Sequence, residues 1–248
     1  MAAWTVTFFP FNILEIGTLD VTGDADDGYP ESRLYDRAIN IYWKDTVTEA
    51  KNFTVDQGAS GNLDIDFLAI SNHNFDGINM QWQWSTDDFS GSINDAITDW
   101  TQAGNAQIIK TIESAQTARY WRVTLASMAN PQADEIYMSL GYSFNALREQ
   151  VPSGRDIANV QWNRTIGGNE RSVKFGEKKK SRTYTFWLTA SQYTDFETVI
   201  DYLDGYSKPF YFKDHEDNYF LARFEDTPDI TFDHNTNTRV TVRIIEQL

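Results

Sequence analysis

Apolar and polar residues alternate with a period of two in run after run of this chain, a pattern that a half-buried strand satisfies and an amphipathic helix does not. In LDIDFL, Leu63, Ile65 and Phe67 alternate with Asp64 and Asp66; in MQWQWS, Met80, Trp82 and Trp84 alternate with Gln81 and Gln83. YWRVTL sets Trp121, Val123 and Leu125 on one face and Tyr120, Arg122 and Thr124 on the other, and EIYMSLGY from Glu135 to Tyr142 is strand-like again. SNHNFDG, STDDFSGS and MANPQADE lie between these runs and carry the Asn, Asp, Gly and Pro of turns. With 41% hydrophobic and 15% aromatic residues, the chain has the material for ordered, Trp- and Tyr-rich strands and is not disordered.

A length of 248 residues suits one large β core or two modest ones, and two are expected. Residues 1–148 carry 8 Lys+Arg against 20 Asp+Glu, whereas 149–248 carry 13 against 16. The polar segment NALREQVPSGRDIAN, from Asn145 to Asn159, holds a PSG turn signal and separates the halves, giving domains 1–148 and 149–248. The second half reads as VQWNRTI, a GGNE turn and RSVKFGEKKKSRTYTFWL, a long hairpin. One helix follows. Thr189 and Gln192 fit a capping box, Phe196, Val199, Ile200 and Leu203 recur at helical spacing, and Gly205 stands at the expected stop. PFYFKD, NYFLARFED, DITFD and TRVTVRIIEQL then read as four strands.

Catalytic signatures are missing. With no cysteine, neither disulfides nor thiolate metal sites can form. His73, His215 and His234 are too far apart in sequence for a zinc motif, and no GxSxG, GxGxxG or GxxxxGK[ST] occurs. Paired carboxylates of a glycosidase would be lost among 36 acidic residues. No enzyme, catalytic residue or cofactor is assigned. A formal charge of -15 argues against direct nucleic-acid binding. No apolar run approaches a membrane span, and MAAWTVTFFPFNILEIG makes a poor signal peptide, so assembly in a cytoplasm is expected.

Four stretches invite a functional reading beside a plain one. DVTGDADDG, from Asp20 to Gly28, offers Asp24, Asp26 and Asp27 to calcium, or is a solvated acidic loop. The basic residues Arg171, Lys174, Lys178, Lys179, Lys180 and Arg182, with Arg164, protect a strand edge or form an arm that docks on a neighbouring copy, with nucleic acid a third choice. FLAISNHNF reads as a strand running into a turn, with His73 bonding to backbone. Exposed Trp and Tyr rings could form a sugar platform with Asn72, Asn74 and Arg122, although alternation puts Trp43, Trp82, Trp84 and Trp121 in the core and turn roles explain the asparagines equally.

RLYDRAINIYWKD, NLDIDFLAISNHNFDGINMQWQWSTD and ARYWRVTLASMANPQADEIYMSLG, in that order, resemble the discoidin-like, galactose-binding-like β sandwich found in many bacteriophage tail and baseplate proteins. The resemblance spans most of residues 30–142 and implies a mainly β chain with an N-terminal jelly roll. GYSKPFYFKDHEDNYFLARFED, from Gly205 to Asp226, is similar to the tail-tube-like module of distal and minor tail proteins, a β sandwich with one flanking helix, although there the ring domain precedes the sandwich. That similarity implies a structural protein of a virion tail tip, a homo-oligomeric ring, a hexamer in the family, joining tail tube and hub. The alternative from the same sandwich is a carbohydrate-binding adhesin touching a host surface glycan, and a glycoside hydrolase comes third.

Overall fold

The computed structural model describes residues 4–23, 28–38, 40–59, 61–147, 156–164, 170–232 and 237–247, and only the backbone of 156–164 and 170–177. They form two compact units, one of residues 11–141 and one of residues 1–10 together with 142–248. The chain opens with β1 (Trp4–Phe9). It then builds the first unit from α1 (Ile13–Ile16), β2 (Thr18–Val21), β3 (Trp43–Lys44), β4 (Glu49–Asp56), β5 (Asp64–Ser71), β6 (Asn79–Ser85), β7 (Asn94–Thr101), β8 (Ile108–Thr117), β9 (Tyr120–Met128), β10 (Gln132–Ala133) and β11 (Glu135–Ser139). The second unit resumes with β12 (Tyr142–Ala146), β13 (Asp156–Arg164), β14 (Glu170–Thr189), α2 (Ala190–Tyr202), β15 (Phe210–Lys213), β16 (Tyr219–Phe224), β17 (Asp229–Phe232) and β18 (Asn237–Glu246).

The division at 148/149 expected from the sequence is therefore displaced. β1 pairs with β12 and β15, with Phe8 opposite both Tyr142 and Phe212, so the first ten residues belong with the last hundred. Asn145 and Ala146, expected in a linker, are strand residues opposite Thr5 and Trp4. Strand pairing depends on partners remote in sequence, which composition and charge along the chain do not report.

The first unit is the antiparallel sandwich that the resemblance implies, built of the strands that the alternation predicts. One sheet has the order β2-β4-β9-β6-β7 and the other β11-β5-β8, with a short β10-β3 ladder. Phe53, Val55, Ile65, Phe67, Trp82, Trp121 and Val123 are fully buried, and Trp82 packs against Trp121 at 5.3 Å between ring centroids. Burying a side chain of this size contributes about 1.5–3 kcal/mol, so these alternating positions carry the sandwich.

In the second unit the expected strands and single long helix are present. Pairing runs β14-β12-β1-β15-β16-β18 and returns from β18 to β14, closing a barrel, with β17 and β13 as flanking strands. Its interior is filled by phenylalanines: Phe8 contacts Phe144, Phe186, Phe196, Phe210, Phe212 and Phe224 at centroid distances of 5.0–6.4 Å. α2 starts in the predicted capping box, Thr189 with Gln192, and buries Phe196 and Val199. Among the described residues no helix is long and apolar enough to cross a membrane.

Candidate functional site

One end of the sandwich gathers four loops, and the asparagines of SNHNF fasten them. Asn72 Nδ2 donates to Asp134 Oδ2 at 2.7 Å, and Asn40 N–H donates to the same oxygen at 2.8 Å. Asn74 donates to Asn130 O and accepts from Gln132 N–H, at 2.9 Å each. Asp76 Oδ1 accepts from Gly104 N–H at 2.6 Å. His73 is buried; its Nδ1 accepts from Phe75 N–H and its Nε2–H donates to Ala106 O at 2.8 Å. Burial holds the imidazole below its ordinary range against the pull of that bond, so the ring is a neutral bracket.

The long loop between β2 and β3 is tied down by buried polar groups. Lys51, on β4, is fully buried, and its ammonium donates to Asp45, to Glu49 Oε1 at 2.7 Å and to Thr22 O at 3.1 Å. Burial alone would raise the Asp45 carboxyl, but the Lys51 bond and the Val47 N–H bring it below its usual range. Gly23 lies in the left-handed region at φ 91°, where any other residue is strained, and a Cβ there would press on the ends of the Glu49 and Lys51 side chains. Further on, Arg37 pairs with Glu15 and its N–H donates to the buried Glu135 at 3.0 Å. Burial drives the Glu135 carboxyl well above its ordinary range, opposed by the Arg37 N–H bond.

On this footing the loop presents a depression of about 500 Å³ lined by Gly28, Tyr29, Arg33, Asn40, Ile41 and Tyr42. The Tyr29 and Tyr42 rings stack at 5.1 Å and 14°. The neighbouring Tyr29 hydroxyl lifts the Tyr42 hydroxyl above its ordinary range. Arg33 stands 5.2 Å and Lys44 5.9 Å from the Tyr29 ring centre, Arg33 Nη1 donates to Tyr42 O, and Ile41 is 44% exposed. Rings, an exposed aliphatic side chain, a guanidinium and an amide are what a sugar needs for its apolar face and its hydroxyls.

The three candidate sugar contacts do not converge. Asn72 lies beneath this depression through Asp134, Asn74 braces the neighbouring loops, and Arg122 is on β9. Arg122 donates to Gln83 Oε1 at 2.6 Å and lies 3.9 Å from the Phe89 ring centre. Tyr29, Arg33, Asn40, Ile41 and Tyr42 escape period-two reasoning because their segment forms no strand; the only signal is two tyrosines flanking Arg33 between a GYP turn and Trp43.

Of the basic arm, Lys180 sits 3.6 Å from Glu246, and Arg182 lies 3.8 Å from both Asp214 and Glu216, so both meet acids of their own unit. Lys179 is half-buried and Lys178 exposed, while the side chains of Arg171, Lys174 and Arg164 lie outside the described residues. So do Asp24, Asp26 and Asp27 of the acidic loop, and His234. His215 Nδ1 bonds the Tyr184 hydroxyl at 2.9 Å beside Trp4, and is part of the barrel unit's packing. Among the described residues no three His, Asp or Glu side chains are grouped to hold a metal ion.

No protein-family model and no curated protein matches the sequence. Solved structures are similar to about half of the chain, among them three carbohydrate-binding modules. CBM32-6 of CpGH89 from Clostridium perfringens is 21% identical at a TM-score of 0.42, covering 51% of this chain and 97% of that one. Chitosan-binding module 1 of a chitosanase/glucanase from Paenibacillus sp. IK-5 is 18% identical at 0.42, covering 52% and 98%. The family 32 module of C. perfringens NanJ, in complex with galactose, is 17% identical at 0.41, covering 54% and 98%.

Proposed function

We propose that this protein binds carbohydrate without turning it over, through the loop end of the sandwich of residues 11–141. The observation that carries the reading is the stacked Tyr29–Tyr42 pair beside Arg33, Asn40 and exposed Ile41, on a loop anchored by the buried Lys51 and Glu135 groups. Anchoring matters because a preformed site loses less entropy when it closes on a small ligand. Calorimetric titration with galactose, glucose and N-acetylglucosamine tests it. At least one binds at millimolar affinity or tighter, and Tyr42→Ala and Arg33→Ala each weaken it about tenfold, the loss of roughly 1.4 kcal/mol. No heat with any of the three, or variants that bind like the parent, would overturn the reading.

A second reading places the chain at a phage tail tip, as a distal or minor tail protein in a ring. It is favoured by the β13–β14 hairpin: β14 pairs with β18 only over Ser181–Thr189, while Glu170–Lys180 is paired with β13 alone. A hairpin continuing past the barrel strands in this way is a device for pairing with a neighbour. Both readings can hold together, the sandwich carrying the sugar and the barrel the assembly. Light scattering of the purified protein tests the ring; a monomer at every concentration up to about 100 µM, far above the nanomolar dissociation constants of firm complexes, removes it.

A further inference from the structure

A second groove opens elsewhere on the sandwich, along the strands β7 and β8 that end their respective sheets. Its volume is about 560 Å³, and Trp84, Ile93, Ile112, Asp95, Glu113 and Gln116 line it. Alternation assigns Trp84 to the core beside Trp82. Its register on β9 agrees, since Trp84 lies opposite the fully buried Trp121. Yet Trp84 is only half-buried, and it lines the groove. Ile93 is 55% exposed beside it.

We propose that this groove is a binding site for an amino sugar carrying a protonated amine, separate from the loop-end site and selecting by charge. The tryptophan and the two isoleucines offer an apolar wall of the kind that packs against the hydrogen-bearing face of a pyranose ring. Asp95 and Glu113 are exposed carboxylates, one from each edge strand, and no basic residue is among the lining. One Asp95 oxygen accepts from Gln83 Nε2 at 3.0 Å, and Gln83 in turn accepts from Arg122, which fixes the position of that carboxylate. Gln116 and Asn94 supply amides for ring hydroxyls. Two carboxylates in a lining that holds no basic residue disfavour uronic or sialic acids and favour an ammonium, whose hydrogen bonds to a carboxylate are charge-assisted. The loop-end depression differs: among the described residues its lining holds Arg33 and no carboxylate.

The test follows the Trp84 indole N–H signal by NMR, assigned by its disappearance in Trp84→Phe, while the intact chain is titrated with a glucosamine tetramer. The signal shifts with saturation in the millimolar range or below. Its N-acetylated counterpart, which lacks the cation, leaves the signal in place, and Glu113→Gln combined with Asp95→Asn weakens the glucosamine tetramer at least about tenfold. Tyr42→Ala leaves this titration unchanged, so failure here and failure of the loop-end site are told apart. An unmoved Trp84 signal, equal shifts from both tetramers, or an equal shift from tetralysine, which would mean a peptide or charge-only site, overturns the proposal.

Discussion

A lysine ammonium enclosed by protein must have its charge answered on every side, and Lys51 meets two carboxylates and a carbonyl. Removing it leaves Asp45 buried and unpaired, so Lys51→Met is expected to cost about 3–5 kcal/mol in urea unfolding, with part of that loss recovered when Asp45→Asn is added. His73 sets a pH dependence through its burial. Its folded imidazole resists protonation because it is buried, whereas in the unfolded chain it takes a proton near its ordinary value of about 6.5. Its contribution is complete above that pH and is lost as pH falls toward the folded value, with a slope of at most about 1.4 kcal/mol per pH unit. Unfolding midpoints measured between about pH 7.5 and 5.5 should fall in the parent, and His73→Gln should flatten that part of the decline.

At the scale of elements, β1 is the strand on which the barrel turns, since it lies between β12 and β15 and places Phe8 among six other phenylalanine rings. Phe8→Ala is expected to destabilise the barrel unit by about 3–5 kcal/mol in denaturant unfolding, with the sandwich transition unmoved. The role of β1 was not legible in WTVTFF, whose partners lie more than 130 positions away. α2 was legible because its signals are local: the capping box at Thr189 and apolar spacing through Leu203 sit within the helix itself. Alternation likewise gave the faces of β5, β6 and β9, but a face is not a depth. Trp82 and Trp84 share a face, and only the first is sealed, because depth depends on what the rest of the fold lays over each position. The Tyr29–Tyr42 platform was illegible for a third reason: loop side chains follow no period, so nothing in the spacing marks which of them meet.

For the whole molecule, the sharper charge boundary is the structural one. Residues 11–141 hold 7 Lys+Arg against 20 Asp+Glu, and the remainder holds 14 against 16. The sandwich occupies the place of a turn, since Phe8 faces Tyr142 across the β1–β12 ladder and everything from 11 to 141 lies between. Replacing 11–141 by an Asn-Gly turn should leave a barrel protein that unfolds cooperatively, and the excised segment should fold on its own. Calorimetry of both pieces checks this: a piece without a cooperative transition would mean that the units are not autonomous.

The same interleaving sets an order of events at the ribosome. The opening strand emerges first but has no companion until Tyr142 and its successors follow, and its other neighbour waits for Phe212. By then the whole inserted sandwich has left the exit tunnel and had time to fold. Barrel closure must therefore join the earliest synthesised strand to some of the latest, with a finished body tethered between them, a long-range step of the kind that makes folding slow.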